Sequence, residues 1–428
     1  MADFHQTGTI TTLHRLNTDG LSSLERDLRL HSAATPIGLV LPALYTEFER
    51  PAMRRIVDEL RKVPYLSHIV VALGRANESQ YLHAKSFFDG FETPVSFLQV
   101  DNPRVANLFS LLKKHGLESG TAGKGRSCWL AYGLLLAQKQ CQVIALHDCD
   151  IKSYRRDLLA RLCYPAVHPE LGFEFVKGYY ARTSDRLHGR VTRLFWAPLV
   201  KAMESLSPGA EFLQYLGSFR YALAGEFAMR TRTARKSRVP CDWGLEIGML
   251  SEAYRNCSRN RICQVDLTDN YEHKHQALSA DDSTAGLRKM ACDITATLLR
   301  TVAGTGTTFS AEALKMLEIR YARTAEEMIE CYHADAVVNG LQFDRHGEES
   351  AVGAFQSSLR EGAATFAAGA IPDCTLPSWN RVLSAIPDFF DRLQTAVADT
   401  TRTKVQTIRR ATIPAEIEMA EMALPAIG

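Results

Sequence analysis

Val143-Ile144-Ala145-Leu146-His147-Asp148-Cys149-Asp150 is the stretch on which the reading of this chain turns. A short apolar run without polar alternation reads as a strand buried on both faces, as in a parallel sheet covered by helices. The run ends in two carboxylates with one residue between them. In open α/β sheets, ligands gather at the carboxyl ends of the strands. Carboxylate oxygens placed there suit Mg²⁺ or Mn²⁺, which keep coordination positions for phosphate oxygens and water. The competing reading is a strand that ends in a solvated Asp turn, and the flanking sequence decides between them.

Working outward, the same kind of run recurs. Ile37 to Leu41 reads as a buried strand stopped by Pro42, and Pro51 to Lys62 as a helix. Leu66 to Leu73 and Val95 to Val100 are further strands, with a helix near Gln80 to Phe88 between them. Arg126 to Gln138 has apolar residues at helical spacing and leads into the Val143 strand. Strands alternating with helices predict an α/β fold, Rossmann-like, with a doubly wound and mostly parallel sheet. After the acidic pair the pattern loosens. Phe173 to Tyr180 and Ile262 to Leu267 read as strands, Gly189 to Met203 as a helix disturbed at Pro198, and Asp242 to Tyr254 as a helix with Asp242 at its N-cap. From Ser279 onward the periodicity is helical and no strand candidate stands out. The expected division is residues 1–33 as an N-terminal arm or a peripheral helix, 34–278 as the ligand-binding α/β domain, and 279–428 as a C-terminal helical region.

Composition narrows the class. At 428 residues, 46% hydrophobic and 23% charged, the chain is that of a globular protein with more than one small core. A formal net charge of +2 gives no global field for nucleic acid. No apolar run reaches the ~18 residues of a membrane span, and the first residues lack the apolar core of a secretory signal. The ten cysteines are scattered without Cys-x-x-Cys spacing. They read as reduced, buried thiols of a cytoplasmic protein.

Three other clusters carry chemistry alongside the acidic pair. Ala122-Gly123-Lys124-Gly125-Arg126-Ser127 precedes a helix, where glycines let backbone approach a ligand and Lys124 with the helix N-terminus favours an anion. It lacks the full P-loop pattern. Tyr271-Glu272-His273-Lys274-His275 follows a strand, and an imidazole there can complete a metal site begun by distant carboxylates. Arg186-Leu187-His188-Gly189-Arg190-Val191-Thr192-Arg193 opens a helix with amides, a hydroxyl and guanidiniums suited to phosphate or carboxylate. An ordinary Gly turn, surface histidines and a solvated basic helix start are the bland readings of these three.

Taken in order, the motifs resemble the retaining GT-A glycosyltransferases that make glucosyl-3-phosphoglycerate, with mannosylglycerate synthases as more distant relatives. The matching residues are Pro42-Ala43-Leu44, Gly123-Lys124-Gly125, Asp148-Cys149-Asp150, Val176-Lys177-Gly178-Tyr179-Tyr180, Gly189-Arg190-Val191-Thr192, Gly225-Glu226-Phe227-Ala228, Gly244 to Leu250, and His273-Lys274. They span about residues 36 to 276. The resemblance implies a GT-A fold and a donor among UDP-, GDP- and ADP-glucose. It also implies a small phosphorylated acid as acceptor, Mg²⁺ or Mn²⁺ as cofactor, and a homodimer that makes a compatible solute or a polysaccharide primer. It implies that Pro42, Ala43 and Leu44 line the nucleotide pocket and that Lys124 contacts the diphosphate. Asp148 would face the ribose and metal, and Asp150 and His273 would ligate the metal. Glu226 and Glu246 would hydrogen-bond the donor sugar, with Asp150, Glu246 and Glu226 as the catalytic group. Gly189, Arg190, Thr192 and Lys177 would hold the acceptor.

The chain departs from the pattern in places. The strand ending at Leu73 runs into Gly74-Arg75-Ala76-Asn77 instead of a Ser- and Gly-rich acidic turn that helps hold the base. Thr46 stands where the family has an acid, and Glu47 is the substitute. Tyr271 replaces an Arg, and His275 an Asn.

No side chain stands out as a nucleophile for retention. A front-face attack, with the departing phosphate taking the acceptor proton, therefore fits best. Glu246 is a candidate positioning group and a weaker candidate nucleophile. Three other readings compete. The first is a mannosyl(phospho)glycerate synthase-type transferase with another sugar or acceptor. The second is a metal-dependent nucleotidyltransferase, disfavoured because Tyr45 to Glu49 lacks a Gly-rich basic loop. The third is a non-catalytic scaffold on a transferase fold, disfavoured by the intact Asp148, Asp150, His273 and Lys124.

Overall fold

The computed structural model describes residues 6, 8–17, 20–272, 286–369 and 375–398. Its strands are β1 (Thr11–Leu13), β2 (Ile37–Leu44), β3 (Leu66–Gly74), β4 (Val95–Gln99), β5 (Val143–Leu146), β6 (Phe175–Tyr179), β7 (Phe227–Arg230), β8 (Val239–Pro240), β9 (Ile262–Asp266) and β10 (Thr375–Leu376). Among the described residues, eight of them form one sheet in the order β1-β9-β6-β7-β5-β2-β3-β4. Every neighbouring pair is parallel except those of β7, which runs antiparallel between β5 and β6. This is the mostly parallel α/β sheet that the alternation predicted.

The central strands are largely apolar because each face of the sheet feeds a separate core. Leu39, Leu41, Ile69, Val71, Val143 and Ala145 point to one side, into a core with the Pro51–Leu60 and Arg156–Val167 helices. Val40, Val70, Ala72, Ile144 and Leu146 point to the other, where the Lys124–Gln138 helix is buried along most of its length. Alternate residues thus serve opposite layers, which is the period of two expected of a strand.

The C-terminal helices, Gly286–Ala303, Ala311–Val338 and Arg345–Ala367, pack into that second core. Trp379 stacks on Trp129 with ring centroids 4.0 Å apart, and Trp129 Nε1 donates to the Pro377 carbonyl at 2.9 Å. Gly133 makes the room: a Cβ there would lie 2.1 Å from the Trp379 ring. The helices therefore cover the sheet of their own chain.

Several expectations are corrected. β2 runs through Pro42 to Leu44. β5 ends at Leu146, opposite Val40, so beyond that point one edge of β2 is unpaired and the missing N–H of Pro42 costs no ladder bond. The first residues do include the peripheral helix, Leu21–His31, packed on Arg156–Val167, but they also hold an unexpected strand, β1, which pairs with β9 at the sheet edge. The region after 279 does hold a strand, the two-residue β10, paired with β8. Gly189 to Met203 is broken into a π-helix, Val191–Trp196, and an α-helix, Ala197–Leu206, with Pro198 in the first turn of the latter. Asp242 lies before Gly244, the N-cap of the Leu245–Asn256 helix, and accepts from the Gly244 amide at 2.8 Å.

Candidate functional site

The site forms where β5, β6 and β7 meet the N-termini of two helices. β5 delivers Asp148 and Asp150 just beyond its last residue. Lys124 is the first residue of its helix, and Glu246 lies in the first turn of Leu245–Asn256. The two glycines around Lys124 have a packing cause. A Cβ on Gly123 would lie 2.2 Å from the Cys241 carbonyl oxygen, and one on Gly125 would lie 1.8 Å from that of Pro240. Only glycine lets this helix start seat against the β8 segment and set Lys124 between two carboxylates.

Lys124 Nζ is 2.6 Å from Asp148 Oδ1 and 3.1 Å from Glu246 Oε1. Burial pulls the ammonium's pKa down, but Asp148 and Glu246 outweigh it and hold the group well above its ordinary value. Gly225 closes the other side of Asp148: a Cβ there would sit 2.4 Å from Asp148 Oδ2. Next to it, Glu226 is fully buried. Its Oε2 accepts from Tyr180 Oη at 2.7 Å and its Oε1 from Tyr271 Oη at 2.6 Å. The two tyrosine rings stack with centroids 3.7 Å apart at 4°. Burial and Asp148 push the Glu226 carboxyl up, against the tyrosine hydroxyls and Lys124.

The surplus of carboxylates bears on metal binding. Asp150 is pushed up to about 7 by burial, then by Asp148 and Glu47, with Lys124 opposing and Glu226 adding to the rise. Glu47 Oε2 is buried and has no hydrogen-bond partner among the described residues. Its nearest cation, Arg50, is 3.8 Å away. Hard oxygen donors crowded so that one resists ionisation are a donor set suited to a divalent cation. Among the described residues no group of three His, Cys, Asp or Glu side chains forms a ready metal cluster. His273 and Lys274 lie outside the described residues. Glu272, the last described residue before them, is tied to the chain just past Asp150. Lys152 N donates to the Glu272 carbonyl at 2.7 Å, and Glu272 N donates to Ser153 Oγ at 3.0 Å.

The nucleotide-side residues lie at the end of β2: Pro42 is half-buried, Ala43 buried and Leu44 exposed. Glu47 stands in the short Tyr45–Phe48 helix that follows. β3 ends in Gly74, and Arg75 takes a left-handed conformation (φ 53°) with its amide bonded to Asp101.

On the acceptor side, Gly189 has φ 75°, which glycine tolerates at no steric cost. Arg182 Nη1 and Tyr221 Oη are its nearest neighbours on the open side. Arg190 and the half-buried Thr192 follow, the latter within the π-helix. Lys177 stands apart from them. It is 1% exposed, and its ammonium donates to the Ala224 carbonyl. Burial pushes it down to about 8 despite Glu246 and Glu226. Lys177 pairs with Phe227 inside the sheet, and the carboxylates of Glu246, Glu226 and Asp148 are its electrostatic neighbours.

Sequence reasoning missed three contributors. His147 is buried, its Nδ1 donating to the Asp148 carbonyl at 2.9 Å while Nε2 accepts from Tyr154 Oη at 3.2 Å. Burial lowers its pKa to about 4, so it is neutral. Its place beside the acidic pair was the available signal. The Tyr180–Tyr271 stack was hidden by distance along the chain. Glu348, which pairs with Arg190 and Arg193, comes from the C-terminal helices, where no motif pointed to it.

No family model matches the chain. A glucosyl-3-phosphoglycerate synthase of Persephonella marina is 45% identical over 399 residues, covering 93% of this chain and 99% of that protein. One from Methanococcoides burtonii is 40% identical over 403 residues, covering 93% and 98%. Among solved structures, a glucosyl-3-phosphoglycerate synthase from Mycobacterium tuberculosis in complex with Mn²⁺, UDP-glucose and phosphoglyceric acid is similar with a TM-score of 0.51 at 22% identity, over 69% of this chain and 89% of that one. The same protein with Mn²⁺, UDP and glucosyl-3-phosphoglycerate gives 0.50 at 21%, over 68% and 88%. At this identity the structural likeness speaks for the fold.

Proposed function

This chain belongs to the glucosyl-3-phosphoglycerate synthase family, and on that premise we propose that it moves glucose from a nucleoside diphosphate to the free hydroxyl of 3-phosphoglycerate, with retention. The observation that carries the assignment is Lys124 held between Asp148 and Glu246 at the carboxyl end of β5. An ammonium has three protons. Two are engaged, which leaves one for a donor diphosphate.

Mg²⁺ or Mn²⁺ would be held by Asp148, Asp150 and His273. Bound there, it would neutralise charge on the leaving diphosphate. His273 as third ligand is supported by the anchoring of Glu272 beside Lys152 and Ser153. In our reading Pro42, Ala43, Leu44 and Glu47 border the nucleotide, and Lys124 steadies the diphosphate. Glu246 orients the sugar, and Glu226 keeps Tyr180 and Tyr271 fixed along its edge. Gly189, Arg190 and Thr192 receive the acceptor's anionic groups. The acceptor oxygen bonds to the anomeric carbon as the carbon–oxygen bond to the diphosphate breaks, and the hydroxyl proton passes to the diphosphate oxygen that leaves. Lys177, bonded within the sheet, supports the Ala224–Glu226 turn rather than the acceptor.

Residues 34–278 form the catalytic unit in this reading, and the helices after 279 brace it. A homodimer and a cytoplasmic role in making a compatible solute complete the proposal, and light scattering tests the first. No helix among the described residues is long and apolar enough to cross a membrane. The functional assignment is tested by incubating the purified chain with UDP-, GDP- or ADP-glucose, 3-phosphoglycerate and Mn²⁺. Product with one donor supports it. No transfer to 3-phosphoglycerate from any of the three donors overturns it.

A further inference from the structure

A buried carboxylate from the C-terminal region reaches the acceptor loop. Glu348 lies in the first turn of the Arg345–Ala367 helix, and its side chain is 6% exposed. Its Oε1 accepts from Arg190 Nε at 3.0 Å and its Oε2 from Arg193 Nη1 at 2.7 Å. The two arginines are used differently. Arg193 spends its remaining donors on its own loop, with Nε on the His188 carbonyl at 2.8 Å and Nη2 on that of Leu187 at 3.3 Å. The Tyr332 ring lies 4.8 Å from its guanidinium. Arg190 is 39% exposed, and among the described residues only its Nε is hydrogen-bonded. Its Nη1 and Nη2 form an end-on fork with free donors, the geometry that matches a carboxylate or phosphate.

The surroundings fix this arrangement. Gln342 N donates to the Asp185 carbonyl at 2.8 Å, and Arg186 Nη2 donates to Gln342 Oε1 at 3.0 Å, so the helix is registered on the loop. Between them is a cavity of about 180 Å³ bordered by Arg186, Arg190, Arg193, Gln342, Asp344 and Glu348. It has room for a phosphate group. Burying a carboxylate against two guanidiniums is costly unless the geometry is good, and its yield in stability alone is small. Orientation of the one guanidinium left open accounts for the expense.

We propose that Glu348 is a positioning residue for the acceptor: it holds Arg190 by Nε and so aims the Nη fork at an anionic group of 3-phosphoglycerate. This rests on the acceptor-site reading given above. The test is steady-state kinetics on the full chain with 3-phosphoglycerate and the donor, for Glu348→Gln, Arg190→Ala, Arg190→Lys and the double variant Glu348→Gln with Arg190→Lys. Losing one aimed, charge-assisted contact should raise KM for 3-phosphoglycerate roughly tenfold in Glu348→Gln. KM for the donor and kcat should stay within about twofold. In the Arg190→Lys background, where no Nε remains to be held, Glu348→Gln should add almost nothing. If Arg190→Ala raises the acceptor KM and Glu348→Gln does not, the role of Glu348 falls while the acceptor site stands. If Glu348→Gln lowers kcat and disturbs both KM values alike with a lowered Tm, Glu348 is structural only and the proposal is overturned. If Arg190→Ala leaves the acceptor KM unchanged, the acceptor-site reading falls, and this inference with it.

Discussion

Asp150 by itself should weaken divalent-cation binding about tenfold when the pH falls from 8 to 6, on top of whatever protonation of the His273 imidazole adds. Asp150 is pushed up to about 7, first by burial and then by Asp148 and Glu47, with Glu226 adding and Lys124 opposing. A metal-ligating carboxylate must be ionised. A group titrating near 7 is ionised in roughly one molecule in eleven at pH 6 and ten in eleven at pH 8, so affinity changes about tenfold, or about 1.4 kcal/mol. The sign for stability runs the other way. A carboxyl whose pKa is raised on folding binds its proton more tightly in the folded state, so the metal-free protein loses stability as pH rises from about 4 to about 7 and levels off above. Isothermal titration of Mn²⁺ at pH 6, 7 and 8 measures the first effect, and Asp150→Asn is the control. Titrations in buffers of different ionisation enthalpy add a second readout: relative to Asp150→Asn, close to one more proton released per Mn²⁺ at pH 6 and almost no difference at pH 8. Affinity that moves less than about twofold across this range, or an equal pH slope in Asp150→Asn, would refute the reasoning.

Other outcomes follow from the packing. Gly225→Ala places a Cβ 2.4 Å from Asp148 Oδ2, so metal-dependent turnover should fall by about two orders of magnitude while circular dichroism stays native. Tyr271→Phe keeps the stack on Tyr180 but removes the 2.6 Å hydrogen bond to Glu226. With a buried carboxylate oxygen left unpaired, kcat should drop roughly tenfold and stability by about 1–3 kcal/mol, read by kinetics and urea melts. Trp379→Ala removes a buried ring stacked on Trp129. Chemical denaturation should show a loss of about 3–5 kcal/mol, without a change in KM for either substrate in the folded fraction.

What was legible in the sequence follows from where information is local. β3, β4 and β5 were readable because strands covered on both faces are largely apolar and are bounded by Gly, Pro and Asp. β7 was not, because Phe227–Arg230 is short and its burial depends on lying between β5 and β6. β1 was missed for the same reason, since only β9 makes three polar-flanked residues a strand. Pro42 was misread as a stop, because proline ends a strand only where its N–H is needed. In the site, Asp148, Lys124 and Glu246 were found from motifs and do converge. Lys177 was grouped with the acceptor residues by its motif. Its ammonium donates to the Ala224 carbonyl inside the sheet, a contact that only the strand register reveals. Glu348 reaches Arg190 across 158 positions and carries no local signature.

The most direct test of the central claim is proton NMR of the reaction between a nucleoside diphosphate glucose and 3-phosphoglycerate, with Mn²⁺ supplied at trace level or replaced by Mg²⁺ to preserve the spectrum. The account predicts one glucoside of 3-phosphoglycerate with the donor's anomeric configuration kept, formed one-for-one with the nucleoside diphosphate, absent without metal and absent in Asp150→Ala. An inverted product, metal-independent turnover, or full activity in a folded Asp150→Ala variant would contradict it.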